Sequence, residues 1–111
     1  YRVVNVCGGD LGRPQVQKFD LETWMPSRHG YGETHSASRF YEFQARRLKL
    51  RYRDANKTVR FCHTLNNTVI ASPRILIPIL ENYQQADGSV EIPAVLRPYM
   101  DGMERLLPPS R

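Results

Sequence analysis

The sequence predicts an α+β fold, an antiparallel β-sheet flanked by helices. Three observations carry this. Strand-like runs dominate the early chain, one long helical repeat of apolar residues comes late, and strands and helices never alternate in the βαβ manner of a parallel sheet. Residues 2–7 are rich in β-branched types (Val3, Val4, Val6) and end at Gly8-Gly9, so they read as a first strand. Residues 10–17 hold Gly12 and Pro14 and read as loop or a single helical turn. Residues 18–25 alternate: Phe19, Leu21 and Met25 on one side, Asp20, Glu22 and Trp24 on the other. Pro26 then stops the strand and Ser27-Arg28-His29-Gly30 turns the chain. Residues 31–38 are extended and polar, suited to lining a site. Phe40 and Phe43, three apart, predict a short helix over 39–47 that Ser38 would cap.

The clearest pattern lies in the middle of the chain. Leu48, Leu50 and Tyr52 alternate with Lys49, Arg51 and Arg53, and after Asp54-Ala55-Asn56-Lys57 the residues Val59, Phe61, His63 and Leu65 alternate with Arg60, Cys62 and Thr64. This predicts an antiparallel hairpin with a four-residue loop, one face apolar and the other cationic. Ser72-Pro73 reads as an N-cap with proline at the first helical position. Ile75, Leu76, Ile79, Leu80 and Tyr83 then mark one helix face, closed by Asp87-Gly88, with Pro78 expected to kink the helix or delay its start. Residues 90–100, with Pro93 and Pro98, read as a short helix or turn. The expected organisation is one body over residues 1–105 and a flexible tail over 106–111, with no internal repeat.

A chain of 111 residues is long enough for one domain and would bury roughly 65% of its unfolded surface if compact. Sixteen Lys and Arg against eleven Asp and Glu give a net charge of +5, which favours anionic partners such as nucleotides or nucleic acid. Cys7 and Cys62 make no disulfide framework, and with His29, His35 and His63 they show no zinc-ligand spacing. Gly8 to Gly12 lacks the Lys-Ser or Lys-Thr of a phosphate loop. No run approaches the ~18 apolar residues of a membrane span. The chain opens at Tyr1 on a strand, and strands seldom sit bare at a natural terminus, so it is expected to be a piece of a longer chain.

The stretch from Leu65 to Arg74 carries the chemistry. Small and polar residues there let a ligand approach the backbone, and Arg74 lies in the first turn of the predicted helix. A planar cation joined to the positive end of the helix dipole suits a polyphosphate. A solvent-facing arginine at a strand–helix junction is the alternative reading.

Several blocks together resemble a known family. Glu33-Thr34-His35-Ser36-Ala37-Ser38, Glu42-Phe43-Gln44-Ala45-Arg46-Arg47-Leu48, His63-Thr64-Leu65-Asn66, Pro73-Arg74 and Ile79-Leu80-Glu81-Asn82-Tyr83-Gln84 are similar to seryl-tRNA synthetase. Tyr1-Arg2-Val3-Val4, Lys18-Phe19-Asp20-Leu21-Glu22 with Trp24-Met25-Pro26, and Asp87-Gly88-Ser89-Val90 match as well, in order and over nearly the whole chain. The matched part is the C-terminal portion of the catalytic core, including the third signature motif of class II aminoacyl-tRNA synthetases. The first and second motifs and the helical arm that embraces tRNA have no counterpart, so the isolated fragment is expected to be inactive.

The resemblance implies a serine–tRNA ligase that activates serine with ATP and passes the seryl group to tRNA(Ser). It places Glu33 and Ser36 at the Mg2+ that bridges ATP phosphates, hard-oxygen donors for a hard cation. Residues three apart on a regular strand face opposite sides, so these two need a bulge to converge. It places Asn66 and Thr68 in the serine pocket, where a site built to bond a hydroxyl rejects its absence by about 10⁴-fold. It gives Arg74 the γ-phosphate and adenine face of ATP and hence the catalytic charge. Asn67 and Val69 stand where the family often has glycine or another small residue, and Arg39 and Glu42 where Asn and Asp are common.

A homodimeric parent, no membrane association, and a location in the mitochondrial matrix or cytoplasm, leaning mitochondrial, complete the implied picture; the Thr34-to-Ser38 block looks closer to organellar, fungal-type members. The alternative from another class is a non-catalytic RNA-binding or partner module on the same scaffold, motivated by the cationic residues Lys49, Arg51 and Arg53 with Arg46, Arg47 and Arg60 nearby.

Overall fold

A computed structural model describes residues 1–109. Four antiparallel strands form the main sheet in the order β1 (Arg2–Asn5), β2 (Gln17–Met25), β3 (Gly30–Arg39), β6 (Leu65–Thr68). The α+β antiparallel architecture read from the sequence is thus observed. Proline ends β2, as expected: residues Pro26–Arg28 make one tight 3₁₀ turn, and His29 takes a left-handed φ of 46° to reverse the chain into β3.

The register of β2 against β3 sets which side chains share a face. Leu21 faces His35, yet Glu22 faces Glu33, so Thr34 is an extra residue without a ladder partner: a β-bulge. Asp20 opposite Ser36 and Glu22 opposite Glu33 share one face of β2, so the bulge turns Glu33 and Ser36 to the same face of β3. On β6, Thr68 lies opposite Ser36 and Asn66 opposite Ser38, which extends that polar face across three strands.

Between β3 and β6 the chain makes an excursion that departs from the sequence reading. The helix α1 spans Phe43–Leu48, not 39–47, and Ser38 does not cap it. Ser38 stays in β3, where its hydroxyl accepts a hydrogen bond from Gln15 Nε2 at 2.6 Å. Phe40 is buried and its N–H is taken by the carbonyl of Thr64, which holds this stretch extended until Tyr41, at φ 48°, breaks it.

The hairpin is present as β4 (Arg51–Arg53) and β5 (Val59–Phe61), but its register differs by one residue from the predicted one. A four-residue loop would set Arg53 opposite Thr58; instead Arg53 faces Val59 and Arg51 faces Phe61. The loop proper is 55–57, closed by Asp54 N–H to Thr58 O at 2.9 Å, with Lys57 at φ 63°. A one-residue slip moves a whole strand's side chains to the other face. The cationic side of β4 therefore shares a face with Phe61 and Val59, and no clean apolar face forms. Leu65 is not the end of this hairpin but the start of β6.

The long helix α2 (Ser72–Tyr83) starts one residue earlier than its sequence cap implies: Ala71 is the capping position and contributes no side-chain bond. Pro78 sits buried inside α2 without ending it. Proline withholds one donor, from the carbonyl four residues back, which lies in the first turn. Asn82 Nδ2 ties the helix to the sheet by donating to Trp24 O at 3.0 Å and to Pro78 O at 2.7 Å. Beyond α2, β7 (Val90–Glu91) pairs with β8 (Arg105–Leu106), and Arg97 clamps the loop between them through Glu91, Glu104 and the Ile92 carbonyl. Of the tail expected over 106–111, Leu106 pairs with Val90, and residues 110 and 111 lie outside the described residues.

The compact core expected from length alone does not form. The radius of gyration is 20.3 Å and the extents are 68 × 34 × 21 Å, against about 13 Å for a compact chain of this size. Apart from Pro78, the buried apolar side chains among the described residues are Met25, Phe40, Ala45 and Ile92 alone. A thin sheet with a helix on one side and a projecting hairpin cannot enclose more.

Candidate active site

The site lies where β3, β6 and the first turn of α2 meet. The chain leaving β6 at Thr68 reaches α2 in three residues, and the N–H of Ala71 donates to the carbonyl of the bulged Thr34 at 3.2 Å. That bond fixes the start of α2 to the bulge. Thr34 itself is fully buried, and its hydroxyl contacts Thr23 Oγ1 at 2.9 Å, the Leu21 carbonyl at 3.2 Å and His35 Nδ1 at 2.8 Å. With α2 pinned there, Arg74 Nη1 stands 3.2 Å from Glu33 Oε2.

Glu33, Ser36, Thr68 and Arg74 line one cavity of about 310 Å³. Glu33 and Arg74 also line a neighbouring cavity of about 630 Å³ with Gly32 and Glu81, so their ion pair forms the wall shared by the two. Gly32 leaves room there for two side chains: a Cβ would come within 2.9 Å of the Met25 sulfur and 3.2 Å of Arg28 Nη1, and the ends of both would have to shift. Both partners of the pair keep solvent access, Arg74 with 56% and Glu33 with 33% of the side chain exposed, so the guanidinium can exchange its carboxylate for an anionic ligand.

Four of the five residues singled out from the sequence are therefore brought together. Asn66 is on the same sheet face, two residues from Thr68, but lines a separate cavity of about 200 Å³ with Phe19, Ala37 and Leu65. The strand β6 is the edge of the sheet and exposed along its length, so no neighbouring strand folds Asn66 toward the others.

Two further polar residues of this face carry chemistry that sequence reasoning left unassigned. Lys18 Nζ is 3.0 Å from Asp20 Oδ2, with both side chains largely buried, and Asp20 lies directly opposite Ser36. The hydrogen bond that Lys18 donates to Asp20, aided by the negative charges of Asp20 and Glu33, raises the Lys18 pKa above its ordinary value despite the opposing effect of burial. Asp20 Oδ1 is buried without a hydrogen-bond partner among the described residues. The signal was the i, i+2 placement of Lys18, Asp20 and Glu22, which reads as a polar strand face but not as a pair.

Among the described residues no three His, Cys, Asp or Glu side chains cluster as a metal site. A cation at Glu33 and Ser36 would take the rest of its shell from a ligand and water, the usual habit of magnesium with phosphates.

Residues 1–83 match the family model described as the tRNA synthetase class II core domain (G, H, P, S and T). The chain belongs to this class II synthetase core family. The resemblance to seryl-tRNA synthetase read from the sequence motifs is borne out by its relatives. It is 57% identical over 111 residues to a serine–tRNA ligase of Deinococcus radiodurans, covering 100% of this chain and 26% of that protein. A serine–tRNA ligase of Dictyoglomus thermophilum is 53% identical over 108 residues, covering 97% and 25%. Among solved structures, seryl-tRNA synthetase from Pyrococcus horikoshii complexed with ATP superposes with a TM-score of 0.92 at 47% identity, over 99% of this chain and 25% of that one. The cytoplasmic serine–tRNA ligase of Naegleria fowleri in complex with AMP gives 0.84 at 44% identity, over 95% and 25%. The chain thus spans about a quarter of the length of the relatives it matches.

Proposed function

We propose that this chain is the part of a serine–tRNA ligase that grips ATP and serine during adenylate formation. The observation that carries the reading is the Arg74–Glu33 pair on a cavity that Ser36 and Thr68 also line, in a chain of this family. In the reaction a carboxylate oxygen of serine attacks the α-phosphorus of ATP, the bond to the bridging oxygen breaks, and pyrophosphate leaves. Ribose hydroxyl attack on the adenylate carbonyl then gives seryl-tRNA(Ser) and AMP.

Each residue has a task in that sequence. Arg74 leaves Glu33 for the γ-phosphate and the adenine face, and its fixed cation offsets the charge that gathers on departing pyrophosphate. Glu33 and Ser36 would hold Mg2+; the bound cation neutralises phosphate charge. The bulge at Thr34 supports this by turning both donors to one face. Thr68 offers its hydroxyl to the serine side chain, so that an analogue lacking the hydroxyl leaves a polar group unpaired, while Asn66, on its separate cavity, stands apart from this contact. Asp20, paired with Lys18, stands beside Ser36 on the adjacent strand. A second copy of the whole protein as dimer partner belongs to the same reading.

The test is serine-dependent ATP–pyrophosphate exchange by the whole protein. Arg74→Ala should reduce exchange by about 10²- to 10³-fold, the usual loss for one preorganised charge stabiliser. A variant that keeps most of the exchange contradicts the role of Arg74.

A further inference from the structure

Between residues 43 and 63 the chain carries seven Arg and Lys against one carboxylate, Asp54. Two of the seven are neutralised: Arg60 by Asp54 at 2.8 Å and Arg46 by Glu42. Arg47, Lys49, Arg51, Arg53 and Lys57 have no ion-pair partner among the described residues. Such a concentration of positive charge repels itself and is stabilised by an anion laid across it.

The hairpin does more than display charge. Arg46 and Arg51 lie over the ring of Phe61, at 4.6 and 4.8 Å from its centre, and Arg47 lies 3.6 Å from that of Phe43. This follows from the register slip, which put Arg51 opposite Phe61. Guanidinium groups held against rings lose less freedom on binding, and their planar forks suit phosphate oxygens. Arg51 and Arg53 recur on one side of a wholly exposed strand, about 6.7 Å apart. Charge placed only to guard a sheet edge needs no such ordering.

Placement adds to this. The hairpin is rooted next to the strands that carry the site, through Phe40 N–H to Thr64 O and Thr64 N–H to Tyr41 O, just beyond β3 and β6. The hairpin thus joins the β3–β6 pair at its Arg39–Leu65 end, with Ser36 opposite Thr68 at the other end of the same short ladder.

We propose that the β4–β5 hairpin and the adjoining end of α1 bind the phosphate backbone of the RNA substrate, through Arg51 and Arg53 first of all. This rests on the reading of the chain as part of a tRNA ligase. The experiment uses the whole protein with Arg51→Glu/Arg53→Glu and, as the milder change, Arg51→Gln/Arg53→Gln. Affinity for tRNA(Ser) is measured across a salt series beside serine-dependent ATP–pyrophosphate exchange, which needs no tRNA. Both variants should keep exchange within about twofold of the unmodified protein. The glutamine pair should weaken tRNA binding about 10-fold at low salt and flatten the logarithmic salt slope by about 1 to 2, as two phosphate contacts are lost. The glutamate pair should weaken it further. Unchanged affinity and slope in both variants overturns the proposal and assigns the charge to another partner. Absent exchange in the unmodified protein contradicts the ligase reading instead, and the salt slopes still decide whether the hairpin holds RNA.

Discussion

The central strands of the sheet and the hairpin handle polar residues in opposite ways. On β2 and β3, polar groups are few, partly buried and bonded to near neighbours: Thr34 to Thr23 and His35, Lys18 to Asp20, Glu33 to Arg74. On the hairpin they are many, exposed and held by a tight turn and ring stacking. The first arrangement fixes positions, which a reaction needs; the second presents charge, which a long anion needs. The same short chain thus separates geometry from field strength along its length.

Removing one partner of the buried pair should disturb the central strands hardest. Lys18→Met leaves the Asp20 carboxylate buried and unpaired, at a cost of about 3 kcal/mol. Hydrogen exchange on the whole protein should then show faster exchange across β2 and β3 with the hairpin amides unaltered. Equal acceleration in both regions would deny their independence. Thr34→Val comes next: it keeps the shape but strips the hydroxyl from a fully buried bulge, costing about 2 kcal/mol in unsatisfied partners. Its exchange signature should include the Ala71 amide, because the start of α2 hangs on the Thr34 carbonyl.

The smallest effect is read through pH. The Lys18 ammonium is raised above 10.5 by Asp20, so its stabilisation is complete below 10.5 and lost as pH rises through the higher folded value. Asp54 is held below 3.8 by Arg60 and by the amides of Thr58 and Asn56, so its hold on the hairpin turn is present above 3.8 and lost as pH falls through the lower folded value. Amide exchange by pH should therefore loosen the hairpin turn first in acid and β2 first in alkali. One order in both directions contradicts the assignment.

Much of this was legible in residue pattern. The strands, the prolines that punctuate them, the long helix and the polar character of residues 31–38 follow from alternation and turn chemistry. The need for a bulge between Glu33 and Ser36 followed from strand periodicity, and Thr34 supplies it. The hairpin register did not follow, because Lys57 takes a left-handed turn position without glycine, and one residue there reverses a face. The start of α1 was misplaced because Phe40 spends its apolar character on burial beside β6, not on a helix face. Asn66 was grouped with Arg74 by resemblance, and the exposed edge strand leaves it apart. Lys18–Asp20 was invisible as a pair because nothing in an i, i+2 spacing says that the two side chains meet.

The bulge turns Glu33 and Ser36 to one face beside Arg74, and the task proposed for that arrangement is to hold a metal-bound nucleotide. Its most direct test is a magnesium titration of serine-dependent ATP–pyrophosphate exchange in the whole protein with Glu33→Gln. The half-saturating magnesium concentration should rise about 10-fold or more, with part of the exchange recovered at high magnesium. A midpoint equal to that of the unmodified protein would contradict it.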